Sequence, residues 1–325
     1  MIIGLDAGGT KVNGLLVDSE SMAIIDRRRA SSAGSADQLA DTVAGLIADL
    51  QAPADRPVSA IGLGVAGLVE SSGRVRYSPN LPALVEYPLA AQVEQRCGTP
   101  VRVLNDATAG AWAEARLGAG RGVDHFVYVA LGTGIGTGLV VDGRIVVGAN
   151  GFAGEAGHMV IDRHGRRHHT GQRGPWELDA SGDALGRVAR AAADAGRFDA
   201  GLAEAGSIEA ITGQDVARAV ATGDPQAIAI LDEFAHHVAL GAANLVLVLD
   251  PSHLVIGGGL ADIGEPLRAA IAAALPEHLL GAPHRPPVEV VIAQLGPDAA
   301  AMGAALAARD QELPGTSAAR DTAVP

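Results

Sequence analysis

The sequence predicts an α/β protein of two domains with a cleft between them, and three observations carry that reading. At 325 residues the chain is long for one compact core. Short apolar strand-like runs alternate with helical stretches along its length. A glycine–threonine turn between two strand-like runs occurs twice, at Gly8–Thr10 and at Gly132–Gly138, which points to an internal duplication with one copy per domain.

Ile2–Asp6 is apolar and breaks at Gly8-Gly9-Thr10, and a second apolar run, Val12–Asp18, follows at once. This is a hairpin whose turn is glycine because the backbone must bend sharply and approach something closely. Ala36–Leu50 places Leu39, Val43, Leu46, Ile47 and Leu50 at helical spacing. Ala60–Val65 reads as a buried strand ended by Gly67, Leu89–Arg96 as a helix, and Val101–Leu104 as a strand. Asn105-Asp106 then leads into an alanine-rich helix, Ala107–Leu117. Glycines gather at Gly118–Gly122, where the domain boundary is expected.

Phe126–Leu131, the turn Gly132–Gly138 and Leu139–Val141 repeat the hairpin, closed by Asp142-Gly143. Helices are expected at Gly182–Ala193, Thr212–Val220 and Pro225–Val248. His253–Ile256 is a strand leading into Gly257-Gly258-Gly259, Val288–Ala293 a last strand and Ala299–Ala308 a last helix. The expected division is residues 1–118, joined by the returning C-terminal helix at 299–311, and residues 119–298. The polar, proline-bearing tail at 312–325 is expected to be disordered.

Composition excludes several classes of function. Hydrophobic residues at 48% supply a core and argue against wholesale disorder. A formal net charge of -13 speaks against a broad nucleic-acid or anionic-membrane surface, which needs clustered Lys and Arg. It leaves room for ATP, because backbone N–H groups and a metal hold phosphates locally. The single cysteine, Cys97, cannot form an internal disulfide, no leader-like segment precedes the first strand, and no apolar run reaches membrane-span length. A cytoplasmic protein is expected.

Chemistry concentrates in a few segments. In Asp6-Ala7-Gly8-Gly9-Thr10-Lys11, the turn's N–H groups and the Thr10 hydroxyl can line phosphate oxygens, and Asp6 can hold a hydrated magnesium ion. An ordinary glycine turn with a capping Asp would look the same. Leu131–Gly138 is a second donor-rich loop, in which Gly132, Thr133 and Gly134 lead, and Gly257, Gly258 and Gly259 permit close approach to a nucleoside. The chain has no GxxxxGK[ST] loop, and its GxGxxG-like string runs into β-like residues rather than a helix.

The order Asp6–Lys11, Asn105-Asp106, Leu131–Gly138, Glu155-Ala156-Gly157-His158 and Gly257–Gly259 resembles the ROK family of repressors, open reading frames and sugar kinases, from Ile2 to about Ala308. The resemblance implies the two-lobed actin/Hsp70/hexokinase-like (ribonuclease H-like) fold, ATP and magnesium as requirements, a sugar substrate and a homodimer. It places Asp106 as the catalytic base and gives Asn80, Asn105, Asp106, Glu155, His158 and Glu177 to the sugar. Capping the helix from Ala107 is the plainer role for Asp106, and the two roles are compatible. For Asn80 the plainer role is a turn beside proline.

The chain departs from the family at its zinc site. Many members bind structural zinc with a histidine and three cysteines in the frame C-x-C-G-x-x-G-C-x-E. Here the frame persists from His168 to Glu177, but His168, Thr170 and Pro175 stand at the cysteine positions. Thr and Pro do not complete a tetrahedral zinc shell, so no structural zinc is expected. A substitute site from His158, His164, His168 and His169 is the alternative to a plain solvated Arg- and His-rich loop. Without zinc the loop must be held by packing, through Trp176, or be ordered by sugar. Gly154–Val160 and Gly165–Gly182 most resemble actinobacterial-style glucokinases, which favours glucose over N-acetylmannosamine or N-acetylglucosamine. A repressor is disfavoured because Asp6 leaves no room ahead for a DNA-binding segment. A catalytically silent sugar sensor is disfavoured by Asn105, Asp106 and both phosphate loops.

Overall fold

The computed structural model of the protein describes residues 1–310; the tail expected at 312–325 and the last residue of the helix expected at 299–311 lie outside them. Contacts divide the chain into two compact units. Residues 1–117, 138–154 and the described residues from Asp298 onward form the first, and residues 118–137 with 155–297 form the second.

In the first unit β1 (Ile2–Ala7) and β2 (Lys11–Val17) make an antiparallel hairpin with Asp6 opposite Asn13. β3 (Ile24–Ser31) extends it at the sheet edge. Helix α1 (Ala36–Gln51) starts at a capping box in which Ser35 and Gln38 each satisfy the other's backbone N–H. Its buried face, Leu39, Val43, Leu46, Ile47 and Leu50, shares a core with Ile3 and Leu5 of β1. β4 (Ala60–Val65) lies parallel to β1. A small sheet of β5 (Leu68–Val69), β6 (Val75–Tyr77) and β7 (Val85–Tyr87) follows, then helix α2 (Leu89–Cys97), ended by Gly98 in the left-handed region. β8 (Val101–Asn105) pairs parallel with β4 and feeds α3 (Asp106–Leu117). The sheet order is β3-β2-β1-β4-β8.

The hairpin returns as β9 (Phe126–Leu131), β10 (Ile135–Val141) and the short β11 (Arg144–Ile145). β10 starts at Ile135, so Ile135–Thr137, expected in the turn, are strand. The second unit also holds α4 (Glu177–Ala180), α5 (Gly182–Asp194), α6 (Asp199–Ala205), α7 (Gly213–Ala221) and the long α8 (Pro225–Leu249). Asp224 caps α8 and Pro225 opens it, the arrangement a first turn favours. β12 (His253–Gly257), α9 (Glu265–Ala274) and β13 (Glu289–Ile292) complete it, with β12 parallel to both β9 and β13. The second sheet reads β11-β10-β9-β12-β13. Counted within each sheet, both orders are third, second, first, fourth, fifth, as a duplicated unit requires.

Residues 138–154 group with the first unit rather than with residues 119–298, where the linear reading put them. The reason is close packing. A Cβ on Gly138 would strike Ala107 and Ala111 of α3, and one on Gly151 would strike the Val69 carbonyl. The last helix, α10 (Ala299–Asp310), also belongs to the first unit. It lies flat on the sheet because Gly4 and Gly62 present only hydrogen to it; Cβ atoms there would collide with the carbonyls of Ala301 and Ala304. Gly303 meets the Ala109 carbonyl of α3 in the same way. Among the described residues no helix is long and apolar enough to cross a membrane.

Candidate active site

Asp6 sits next to the carboxyl end of β1, aligned with Gly64 of β4 and Leu104 of β8. Asn13, opposite it across the hairpin, donates its amide to the Asp6 carboxylate and accepts Arg29 Nε at 2.8 Å. Burial, then the neighbouring Asp106, outweigh Asn13 and Lys11 and push the Asp6 pKa up to about 7. Asn105 Oδ1 accepts the Thr108 N–H at 2.9 Å, and Asn105 Nδ2 donates to the Gly67 carbonyl at 3.2 Å. The helix cap expected of Asp106 is therefore made by Asn105. Asp106 opens the helix instead, its carboxylate accepting the Ala107 N–H at 2.8 Å. Burial raises its pKa despite that hydrogen bond.

The first phosphate-loop candidate adjoins these carboxyls. Gly8 N–H closes the turn on the Lys11 carbonyl at 3.0 Å. Gly9, Thr10 and Lys11 are exposed, as is Asn80. A Cβ on Gly9 would come 3.0 Å from the Asn80 carbonyl oxygen, so Asn80 and the loop are brought together. Asp6, the Gly8–Lys11 turn, Asn80, Asn105 and Asp106 thus form one group within the first unit.

In the second unit the Gly132–Gly134 loop folds on itself, Gly132 N–H donating to the Gly134 carbonyl at 2.9 Å. Gly182 N–H holds the Gly132 carbonyl at 2.7 Å, and Thr133 is exposed. Gly258, at φ 76°, packs on the backbone of Leu131, the residue that opens the loop. No side chain fits there. Gly257 lies against the Tyr128 ring, and Gly259 faces open space. The second candidate phosphate loop and the glycine triplet therefore adjoin.

Glu155–His158 forms a single tight turn, His158 N–H donating to the Glu155 carbonyl at 3.0 Å. Gly157 packs on the Ile135 carbonyl, which leaves no space for a Cβ. Thr137 Oγ1 accepts the Ala156 N–H at 3.3 Å. Glu177, at the start of α4, divides its carboxylate. One oxygen accepts from His168 Nε2 at 2.8 Å, and the other accepts the Ile135 N–H at 3.2 Å. His158 Nδ1 is buried, without a hydrogen-bond partner, 3.9 Å from the first of these oxygens.

His168 corrects the expectation of a plain solvated loop: it is only 9% exposed. Its Nδ1 faces Thr170, with Oγ1 at 2.7 Å and the backbone nitrogen at 3.3 Å. Burial lowers its pKa, against the pull of Glu177 and with help from His169 and His158. His164 and His169 are exposed. Trp176 anchors the segment, fully buried, its indole N–H donating to the His237 carbonyl at 3.0 Å and its ring against Gly241. Sequence reasoning missed Asn13, Thr137 and the Ile135 N–H. For Asn13 a signal was present, since a four-residue turn places it opposite Asp6.

Asp6 fits magnesium, since a carboxyl that burial and a neighbouring acid hold protonated up to about pH 7 is one a divalent cation would relieve. Zinc does not fit. Donor atoms of His158, His168 and Glu177 lie within 4.8 Å of one another, but a structural zinc takes four ligands. Thr170 and Pro175 stand where cysteines would complete the shell. Ligand atoms on one tetrahedral zinc, bonded at about 2.0–2.1 Å, stand about 3.3 Å apart. The 2.8 Å from His168 to Glu177 is instead a hydrogen-bond separation.

The ROK family profile matches residues 2–311. The sequence is 34% identical to a glucokinase of Streptomyces coelicolor over 316 residues, 96% of this chain and 98% of that protein. A Thermotoga maritima glucokinase is 32% identical over 314 residues, 94% and 96% of the two chains. Among solved structures, a ROK family glucokinase from Streptomyces griseus in complex with glucose and AMPPNP has a TM-score of 0.86 at 36% identity, covering 95% of this chain and 99% of that one.

Proposed function

The chain belongs to the ROK family, and from that membership we propose that it transfers the γ-phosphoryl group of ATP to a hexose hydroxyl, with glucose the preferred acceptor. The observation that carries the reading is Asp106. It is a buried carboxyl of raised proton affinity at a strand end, freed from capping by Asn105. A base of raised pKa is better matched to an alcohol than an ordinary carboxylate.

In this reading Asp106, ionised, accepts the proton as the sugar oxygen bonds to the γ-phosphorus and the bond to the β-phosphate oxygen breaks, releasing ADP. The exposed Gly9, Thr10 and Thr133, with the Thr10 and Thr133 hydroxyls, take the phosphates, while the Gly8 and Gly132 N–H groups close the two loops that present them. Gly257, Gly258 and Gly259 let the nucleoside approach the backbone. Asn80, Asn105, Glu155, His158 and Glu177 hold the sugar, whose hydroxyls each donate and accept. Asp6 would hold hydrated magnesium, which neutralises phosphate charge when bound. The reading includes a homodimer in the cytoplasm with no nucleic-acid partner, the last supported by the net charge of -13.

A coupled assay of ADP release across hexoses and N-acetylhexosamines tests the proposal. Glucose should give the highest kcat/KM. A preference for N-acetylmannosamine or N-acetylglucosamine would reassign the acceptor, and ADP release indifferent to every sugar would remove kinase activity altogether.

A further inference from the structure

Glu177 is one of the groups assigned to the sugar, and what holds its carboxylate decides how well that group is aimed. The frame offers no cysteines at the loop, yet the loop is tightly made. His168 N–H donates to the Gln172 carbonyl at 2.7 Å and Gly171 N–H returns to the His168 carbonyl at 2.9 Å, a closed turn that buries the imidazole. The backbone N–H of Thr170 points at His168 Nδ1. A backbone N–H can only donate, and the Thr170 hydroxyl, 2.7 Å from the same nitrogen, can donate as well, which favours the tautomer with its hydrogen on Nε2. That hydrogen points at Glu177 Oε1, 2.8 Å away.

We propose that His168 is a positioning residue, whose Nε2–H, fixed in that tautomer by Thr170, holds the Glu177 carboxylate for the sugar without a metal. The proposal rests on the reading of Glu177 as a sugar ligand. The chain of bonds runs from Thr170 through His168 and Glu177 to the Ile135 N–H, which follows the second phosphate loop. Trp176, bonded to the His237 carbonyl beside it, fixes the backbone that carries Glu177. The side chain and its backbone are thus held separately, one by a hydrogen bond and the other by packing.

The test uses the full chain purified without an affinity tag. His168→Ala raises the KM for glucose about tenfold and leaves the KM for ATP within about twofold, the loss expected for one hydrogen bond to a charged group. His168→Gln, which returns an N–H near the same place, recovers most of the loss. Long-range proton–nitrogen spectra of the wild type show an Nε2–H imidazole at His168, unchanged by a chelator, and this measurement stands even if His168→Ala does not fold. Three results overturn the proposal: a glucose KM unmoved by His168→Ala, equal rises in both KM values with a fall in melting temperature, or about one zinc per chain by elemental analysis, as a four-ligand site would bind. Glu177→Gln separates the two levels. If it leaves the glucose KM unchanged, Glu177 is no sugar ligand and the underlying reading fails. If it raises that KM while His168→Ala does not, the positioning role alone fails.

Discussion

Asp6 of β1 is paired with Gly64 of β4, whose other side faces Asp106, the first residue of α3 just beyond β8, and the charge of Asp106 adds to burial in raising the proton affinity of Asp6. A Cβ at position 64 would rest against the Asp106 α-carbon, 3.5 Å away. The two acids are therefore one electrostatic unit, and the pH dependence of stability should show it.

The folded chain keeps the Asp6 proton up to about pH 7, whereas an unfolded Asp releases it near 3.8. Between those values the native state binds more protons, so stability falls as pH rises through the window. Asp6→Asn removes this slope. The variant should be more stable than wild type at pH 8 by about 1–2 kcal/mol, a figure discounted for partial solvent screening, and indistinguishable near pH 4. Urea midpoints across the pH range measure it, and parallel curves would show that Asp6 is ionised throughout.

Asp106→Asn keeps the size of the side chain and loses the base. The phosphorylation rate should fall about 100- to 10,000-fold, while sugar affinity measured by titration calorimetry stays within a few-fold. Activity close to wild type would take Asp106 out of the mechanism.

Gly258 combines a φ of 76° with the Leu131 backbone against its α-carbon. Gly258→Ala should cost roughly 1–3 kcal/mol of stability from conformation alone. Because the contact is with the residue that opens the phosphate loop, nucleotide binding should weaken more than sugar binding. Equal affinities for both ligands before and after the change would disconnect the triplet from the nucleotide.

Trp176→Phe leaves the His237 carbonyl without its indole donor. The carbonyl keeps its helical N–H partner within α8, so stability should fall by about 0.5–1.5 kcal/mol, the net contribution of one hydrogen bond. The KM for sugar should rise, since the Glu177 backbone loses its anchor. A variant as stable as wild type, with unchanged KM, would show that the hydrogen bond contributes nothing.

Much of this architecture is legible in the residues themselves. Buried strands such as Ala60–Val65 and Phe126–Leu131 are unbroken apolar runs with glycine stops, and their bounds follow directly. β3 was not anticipated because Ile24–Ser31 is an edge strand carrying Asp26 and three arginines, polar on both faces where solvent reaches it. β5, β6 and β7 are two or three residues long, too short to show a period. α9 begins with Glu265-Pro266, whose proline suggests a loop but is at home in a first helical turn. At the candidate site the glycine turns and acids stand out by type and order. The division of the Glu177 carboxylate did not, because the partners of a side chain depend on which loops the fold brings together. His168 looked solvated among arginines, and only the turn at Thr170–Gln172 tucks it in.

α10 has a bearing on how the molecule comes into being. The sheet of the first unit presents Gly4 and Gly62 to a helix that begins only at Ala299 of 325 residues. On a ribosome, about 190 further residues must be polymerised after Leu117 before α10 exists, which at about 5–20 residues per second is some 10–40 seconds. Throughout that interval one face of β1 and β4 is bare of its partner. The second unit, synthesised entirely within the gap, can finish first. An N-terminal half that begins translation early thus completes its fold late, and truncation just before Ala299 would leave it permanently open to chaperones and proteases.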